Sequence, residues 1–298
     1  MTANTHDLAF RPSHAQQWFL TLADATDDPE LARVRDISHD PQGYYVAGAD
    51  GQSYGWVNDA DPSDLHRFLD RALKQWRAHP PRRVTVTATE RDEPWARFPD
   101  PSTEVVRIYS RIRPLPKDVW GLNRGVGRDF LWIYREELQA IAGSAITAGT
   151  EVTLPQSLVQ RLVRYHLVDG VRGTPDMWGP RAVRRAEAHA RLISVEGNIA
   201  RIAFNLVFAM RAPGRHARGY QGRLDGELAI DRTTLRLTRF RAIAEGSAWG
   251  AGKYVPFPPP GRFHLIIAMT EARDEVARQV PPEAVSTRRS DEEYRRPH

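Results

Sequence analysis

Five β-prone segments follow one another in the second half of the chain, and they constrain the fold more than any other feature. We predict strands at 186–195, 198–210, 219–230, 234–246 and 262–270. Short turn sequences such as Glu196-Gly197-Asn198 separate them, which favours antiparallel pairing of neighbours. A meander of this kind typically closes into a small barrel or forms a sandwich. The sequence therefore predicts an α+β protein whose larger part is an antiparallel β-barrel or sandwich-like domain with a few helices.

A hairpin signal and an amphipathic helix precede these strands. Two β-prone runs flank Asp50-Gly51, and Asp61 and Pro62 begin a helix as its N-cap and first residue. Apolar residues at helical spacing then predict one buried face, formed by Leu65, Phe68, Leu69, Ala72, Leu73 and Trp76. This β-β-α order over residues 40–78 resembles the final part of a thioredoxin-like domain. The CxxC motif of that family is absent, so the resemblance implies no redox activity.

The segment HPPRR (79–83) ends this helix, and we place a domain boundary there. The last 28 residues carry few apolar side chains, which is typical of a segment that does not fold by itself. The predicted organisation is a thioredoxin-like α/β unit at 1–80, a β-rich domain at 81–270 with helices near 134–142 and 154–169, and a charged mobile tail at 271–298.

Two further strands with alternating residues are predicted between the first unit and the meander. One covers residues 84–89, and the other covers residues 106–113. The second strand presents Arg107, Arg111 and Arg113 on one face. Such a row is usual on a solvated sheet face, and it would also suit a groove for an acidic ligand.

The composition excludes several kinds of chemistry. The chain has no cysteine, which removes disulfides, thiolate nucleophiles and thiolate metal sites. Of its 42 basic residues 39 are arginine, and the net charge of +5 favours anionic partners. The arginines are spread along the whole chain, whereas nucleic-acid binding usually concentrates them in one patch. No apolar run is long enough for a membrane span and no secretory signal is evident, so we expect a cytoplasmic protein.

The helix predicted at 154–169 ends in a polar cluster. At 100° per residue, His166 and Asp169 lie on the same stripe as the apolar residues, whereas Arg161 and Arg164 lie outside it. Gly170 would end the helix in a left-handed cap, and Arg172 is the nearest partner in sequence for Asp169. The cluster is explained either by a structural ion pair at a corner or by a general base with its orienting carboxylate.

A metal is the second functional interpretation of this cluster. His166 and Asp169 would supply two ligands, and His189, His264 or Glu187 on the predicted strands would complete the set. Without thiolates, a transition metal bound by His and carboxylate groups is the expected cofactor. Two ligands three residues apart form a less specific pattern than HExxH.

A glycine-containing loop is the other candidate site. In Asn123-Arg-Gly-Val-Gly-Arg-Asp129, the backbone at Asn123, Gly125 and Gly127 would approach an anion, with Arg128 beside it. The loop lacks the Walker A and dinucleotide patterns, and a plain turn with a salt bridge explains it equally. Trp178 lies next to a glycine and is a candidate wall of a ligand pocket.

Several segments together resemble an uncharacterised bacterial family that joins a thioredoxin-like half to a β-rich half. They are HLVDGVRG (166–173), MW (177–178), RGYQGRLDGEL (218–228) and WGAGKY (249–254). This resemblance implies an architecture and no activity.

Two functions of different classes are compatible with these features. The first is an enzyme acting on a small anionic molecule, with or without a transition metal, and an oxidoreductase is favoured slightly over a hydrolase. In it His166 is the ligand or base, Asp169 the ligand or orienting group, and Arg172 and Arg128 bind the substrate. The alternative is a non-catalytic binding module for an acidic protein or a nucleic acid.

Overall fold

The chain divides into two compact units, residues 1–96 and 97–298. The computed structural model describes residues 44–48, 52–57, 61–80, 99–114, 125–145, 147–214, 217–253, 255, 258–278, 280–285 and 288–297. The strand predicted at 84–89 lies outside these ranges, as does Asn123 of the predicted loop.

The described part of the first unit is a hairpin followed by a helix. Strands β1 (Tyr44–Ala47) and β2 (Ser53–Val57) pair antiparallel, and helix α1 spans Pro62–Ala78. Asp61 caps this helix, because its Oδ1 accepts hydrogen bonds from the backbone N–H groups of Ser63 (2.8 Å) and Asp64 (3.2 Å). The predicted hairpin and helix start are therefore confirmed. The thioredoxin-like resemblance stays a prediction.

The predicted buried face of α1 is wrong in part. Phe68 and Ala72 are buried, but Leu69, Leu73 and Trp76 are each more than two-fifths exposed. Helical periodicity identifies which residues share a face, but it does not say how much of that face a neighbouring element covers.

The second unit is built on one eight-stranded antiparallel sheet. Its strands are β3 (Glu104–Arg113), β4 (Gly127–Ile133), β5 (Glu151–Val152), β6 (Val183–Glu196), β7 (Ile199–Ala212), β8 (Arg218–Asp231), β9 (Arg236–Gly250) and β10 (Arg262–Glu271). They are ordered β4-β3-β10-β9-β8-β7-β6-β5. The five meander strands are confirmed. The sheet is open with β4 and β5 at its ends, so a closed barrel is not found in the described part of the chain.

The sheet buries one face, as the alternation of its residues requires. Along β7 every second residue is buried, from Ala200 through Phe204 to Met210. Leu158 and Leu162 from the helical region belong to the same hydrophobic cluster as these strands. The main core therefore lies between the sheet and this helical region.

Three helical elements carry the polar groups of interest. Helix α2 spans Arg135–Ser144, which confirms the helix predicted near 134–142. Helix α3 spans Gln156–Arg161 and continues as a π-helical turn at Leu162–His166, closed by a hydrogen bond from Leu167 N to Leu162 O (2.9 Å). The helix predicted at 154–169 is thus shorter than expected. Gly170 is not among the residues with positive φ, so the predicted left-handed cap is wrong.

The described residues of the predicted tail at 271–298 contain helical structure, and the mobility of this tail stays a prediction. They include helices α4 (Glu275–Arg278) and α5 (Arg288–Arg295). Tyr294 is fully buried and shares a second hydrophobic cluster with Trp132 of β4. Because Leu131 belongs to the main core and Trp132 to this second cluster, β4 is covered on both faces. No helix in the described ranges combines the length and the apolar character needed to cross a bilayer.

Candidate functional site

Asp169 and Arg172 form the ion pair expected at the corner after the helix. Arg172 Nε donates to Asp169 Oδ2 at 2.7 Å, and Asp169 Oδ1 accepts from Val171 N at 3.0 Å. Arg172 also donates to the carbonyl oxygens of Val255 (3.2 Å) and Gly250 (3.0 Å). The buried guanidinium of Arg172 thus links Asp169 by hydrogen bonds to the end of β9. This arrangement supports a structural role for Arg172.

His166 does not belong to this ion pair. Its Nδ1 lies 2.9 Å from Asp129 Oδ2, and its Nε2 lies 2.7 Å from the hydroxyl of Tyr294. Because a carboxylate only accepts, Nδ1 carries the proton, and in the neutral imidazole Nε2 accepts from the Tyr294 hydroxyl. That hydroxyl accepts in turn from Trp132 N at 3.2 Å. The orienting carboxylate of His166 is therefore Asp129.

The predicted metal ligands are not brought together. Both ring nitrogens of His166 are engaged, and Asp169 is paired with Arg172. His189 and Glu187 lie exposed on β6, whereas His264 lies exposed on β10, and three strands separate β6 from β10. In the ranges that the structure describes, no group of three or more His, Asp or Glu side chains is arranged to hold a metal. The predicted set failed because sequence spacing does not show which strands are neighbours.

The glycine-containing loop is described from Gly125 onward. Gly125 has a positive φ of 79°, and Gly127 begins β4. A Cβ at Gly127 would lie only 2.5 Å from the carbonyl oxygen of Gly170, so this glycine permits close packing of two backbones. Arg128 is exposed and alternates with Asp129 along β4. It therefore points to the opposite face of the strand from the carboxylate that contacts His166.

Beside the Asp169–Arg172 corner lies a small cleft with a cavity volume of about 30 Å³. Of the predicted site residues, Asp169, Arg172 and Trp178 line it. Trp178 is held by its indole N–H, which donates to Leu167 O at 2.8 Å. The other aromatic walls are Tyr220, Trp249 and Phe263. The cleft thus combines apolar walls with a few charged groups, as small-molecule sites do.

Arg218 is the residue of this cleft that the sequence interpretation missed. Its guanidinium lies 4.3 Å above the Trp178 ring, and its Nη2 donates to the carbonyl oxygens of Asp176 (2.9 Å) and Met177 (3.1 Å). Throughout the described residues no carboxylate oxygen lies within 4.0 Å of Arg218. Burial lowers the pKa of Arg218, which the Asp176 charge offsets only in part. An anion bound here would stabilise the charged guanidinium.

The position of Trp249 depends on a glycine. A Cβ at Gly219 would lie about 2 Å from the indole of Trp249, so only glycine lets this ring pack against β8. The pairing of Gly219 with Trp249 across β8 and β9 brings the two together. The signal in the sequence that could have identified Arg218 is the glycine that follows it, Gly219, which pairs with Trp249 on the next strand. This signal can be recognised only when the register of the two strands is known.

A second polar cluster lies beneath the C-terminal residues. Arg161 and Glu137 form a buried ion pair, with Nη1 at 2.9 Å from both carboxylate oxygens. Burial alone would lower the pKa of Arg161, yet the Glu137 carboxylate raises it above its ordinary value. Burial also raises the pKa of Tyr294 well above 10 and that of Tyr165 to about 12. The helical wheel had placed Arg161 and Arg164 on the polar side, but both are buried.

Comparison of the chain with known protein families, with curated protein sequences and with solved structures finds no match.

Proposed function

We propose that the cleft beside Asp169 and Arg172 binds a small, planar, anionic molecule. The observation that carries the proposal is Arg218, a partly buried cation stacked on Trp178 with no carboxylate partner among the described residues. Asp169 does not oppose an anion strongly, because Arg172 already neutralises it.

This proposal keeps the anionic ligand of the sequence prediction and leaves the metal out. The residues expected as ligands are dispersed, as described above. Asp176 is the remaining carboxylate of the cleft, and its Oδ2 accepts from Lys253 N at 2.6 Å. A ligand that carries both an anionic group and a hydrogen-bond donor would therefore suit Arg218 and Asp176 together.

The test measures the binding of benzoate and of indole-3-carboxylate by the change in tryptophan fluorescence. Benzamide serves as the uncharged counterpart of benzoate. Arg218→Met should weaken carboxylate binding by roughly tenfold or more, because a hydrogen bond to a charged group is lost. Arg262→Met is the matched control, since Arg262 also stacks on a tryptophan, at 4.1 Å from Trp249, but does not line the cleft. Equal effects of the two substitutions, or equal affinity for benzamide, would contradict the proposal.

A second candidate function, the binding of a nucleic acid or an acidic protein, is favoured by the outer face of β3 and β4. Arg111, Arg113 and Arg128 are exposed there, and Tyr109 pairs directly with Arg128. Within the described ranges none of these three arginines has an ion-pair partner. Residues two apart on a strand are roughly 6.8 Å apart on the same face, so the arginines form a row beside an aromatic ring.

Fluorescence anisotropy with a labelled single-stranded oligonucleotide tests this second candidate. Binding should weaken steeply with salt, and Arg111→Ala, Arg113→Ala and Arg128→Ala together should reduce the slope of log K against log salt by about 2. Arg185→Ala is the control, because Arg185 is already paired with Glu187. A slope that the triple substitution leaves unchanged would rule out this face, and a response only to acidic peptides would assign it to a protein partner.

A further inference from the structure

Residues Glu293, Tyr294 and Arg295 are held by hydrogen bonds of the kind that bind a peptide. Arg161 Nε donates to Tyr294 O at 3.0 Å, and Arg161 Nη2 donates to Arg295 O at 3.3 Å. Arg164 pairs through Nη2 with the carboxylate of Glu293. Two arginines therefore bind both the main chain and an acidic side chain of this short segment.

The Tyr294 side chain packs against Trp132, Arg161, Tyr165 and His166. We call these four residues, together with Glu137 and Arg164, which pair with Arg161 and Glu293, the tyrosine seat. The hydroxyl of Tyr294 lies between His166 Nε2 and Trp132 N. Its ring meets His166 and Trp132 edge-to-face and lies 5.4 Å from the Tyr165 ring. Every face of the tyrosine thus has a specific partner.

Buried polar and charged side chains are concentrated at the tyrosine seat. Arg161, Arg164, His166 and Glu137 are all buried, and they form half of the buried polar and charged residues in the described chain. A buried ion pair rarely contributes more stability than well-packed apolar groups of similar size. Charge concentrated at one place in an otherwise apolar core is better explained by recognition of a polar ligand.

The segment that occupies the tyrosine seat buries few side chains. From Arg288 to Arg296 the sequence is RRSDEEYRR, and Tyr294 is its only aromatic or aliphatic residue. Among the described residues 292–297 only Tyr294 and Pro297 are buried, whereas Glu292, Glu293 and Arg295 are exposed. A segment with so few buried side chains opens locally at lower free energy than the strands of the core.

We propose that the tyrosine seat is a peptide-binding site for a Glu-Tyr motif, and that the chain's own Glu293-Tyr294 is its resident ligand. The site binds the same motif from another polypeptide when the resident segment is released. Release also frees His166 Nε2, with Asp129 still behind the imidazole. The proposal is independent of the cleft.

The test uses the full-length chain carrying Tyr294→Ala and a fluorescein-labelled peptide of sequence SDEEYRRPH, which corresponds to residues 290–298. The variant should bind this peptide at least about tenfold more tightly than the wild-type chain, because the resident segment competes at a high effective concentration. A peptide whose tyrosine is replaced by alanine should not bind. Tyr109→Ala, which removes an exposed tyrosine, is the matched control and should behave as wild type.

Two results would overturn the proposal when the variant is folded. One is no peptide binding at concentrations up to about 1 mM, where a released site would be occupied. The other is equal binding of the peptide without tyrosine. Circular dichroism and thermal unfolding establish that the variant is folded.

Hydrogen–deuterium exchange of the wild-type chain decides the matter if Tyr294→Ala does not fold. Amides of residues 292–296 should exchange at least about a hundredfold faster than those of β7 to β9, because local release precedes global unfolding. Exchange of both regions at the same rate would mean that the segment is ordinary core, and the proposal would fail.

Discussion

The tyrosine seat and the cleft lie at opposite ends of the same stretch, residues 161–178, but they treat their charged groups differently. In the tyrosine seat, Arg161 contacts a carboxylate, three backbone carbonyl groups and two aromatic rings. In the cleft, Arg218 contacts two carbonyl groups and one ring. Arg161 thus has a carboxylate partner within the protein, whereas Arg218 has none among the described residues.

This difference indicates which group acts on stability and which acts on binding. Removing one partner of a buried ion pair leaves the other charge buried and unpaired, which lowers the free energy of unfolding. Removing a cation that lacks a carboxylate partner mainly affects what binds. Arg164 connects the two regions, because its Nε donates to Trp178 O at 3.2 Å while its Nη2 pairs with Glu293.

The largest expected effect is on the buried pair of the tyrosine seat. Glu137→Ala should lower the free energy of unfolding by about 3–5 kcal/mol, because Arg161 is left buried and unpaired. Urea denaturation measures this change. Asp225→Ala, which breaks the exposed pair with Arg223, is the control and should cost less than about 1 kcal/mol. Similar losses for both variants would show that the two ion pairs contribute alike.

Substitutions at two glycines test whether the backbone of β4 closely approaches the backbone at Gly170. Gly127→Ala should lower the free energy of unfolding by about 1–3 kcal/mol, because its Cβ would meet the Gly170 backbone. Gly143→Ala on α2 meets nothing within 4 Å and should instead raise stability by up to about 1 kcal/mol. If Gly127→Ala is neutral in urea denaturation, the two backbones are not in close contact.

The pH dependence of stability separates the tyrosines of the tyrosine seat from exposed ones. Burial raises the pKa of Tyr165 from 10.0 to about 12 and raises that of Tyr294 well above 10. Above about pH 10 the unfolded chain therefore binds fewer protons than the folded protein, so the free energy of unfolding decreases as pH rises. Below that pH these groups contribute no pH dependence.

Urea unfolding between about pH 8 and pH 11.5 measures this dependence. Tyr165→Phe and Tyr294→Phe should each make the decrease shallower, whereas Tyr109→Phe, at an exposed position, should not. Stability that stays constant across this range would contradict the burial of the two phenols.

The smallest effects are expected at the histidines that were predicted as metal ligands on the strands. His189→Ala and His264→Ala should each change the free energy of unfolding by less than about 0.5 kcal/mol, because both side chains are exposed. Thermal unfolding with and without a chelator measures the effect. A loss larger than about 2 kcal/mol in either variant would indicate a contact outside the described residues.

The meander was predictable because each of its strands carries its own alternation of buried and exposed residues. The burial of β7 follows the sequence residue by residue. Whether the sheet closes depends on what covers its edges and faces, and periodicity carries no information on that point. The second face of β4 is covered in part by Tyr294, which lies 162 positions after Trp132. No local pattern of a charged segment indicates such a contact.

The site was predictable only where its partners are close in sequence. Asp169 and Arg172 are three residues apart, and their pairing follows from the need to neutralise a buried carboxylate. The partners of His166 are 37 and 128 residues away, so the sequence did not indicate them. The wheel also misplaced Arg161 and Arg164, because it assumed a regular α-helix whose polar side faces solvent, whereas here that side packs against the C-terminal residues.

By itself the sequence determined the local order of this protein: the strands, the turns between them, the first helix and the absence of thiol chemistry. The strands, turns and helix follow from interactions between residues a few positions apart, and the spacing of such residues is visible in the sequence. Only the tertiary structure decided which charges are saturated and which remain available. That outcome depends on which distant segments exclude water from a given side chain, and the energy of a charge changes severalfold with that exclusion.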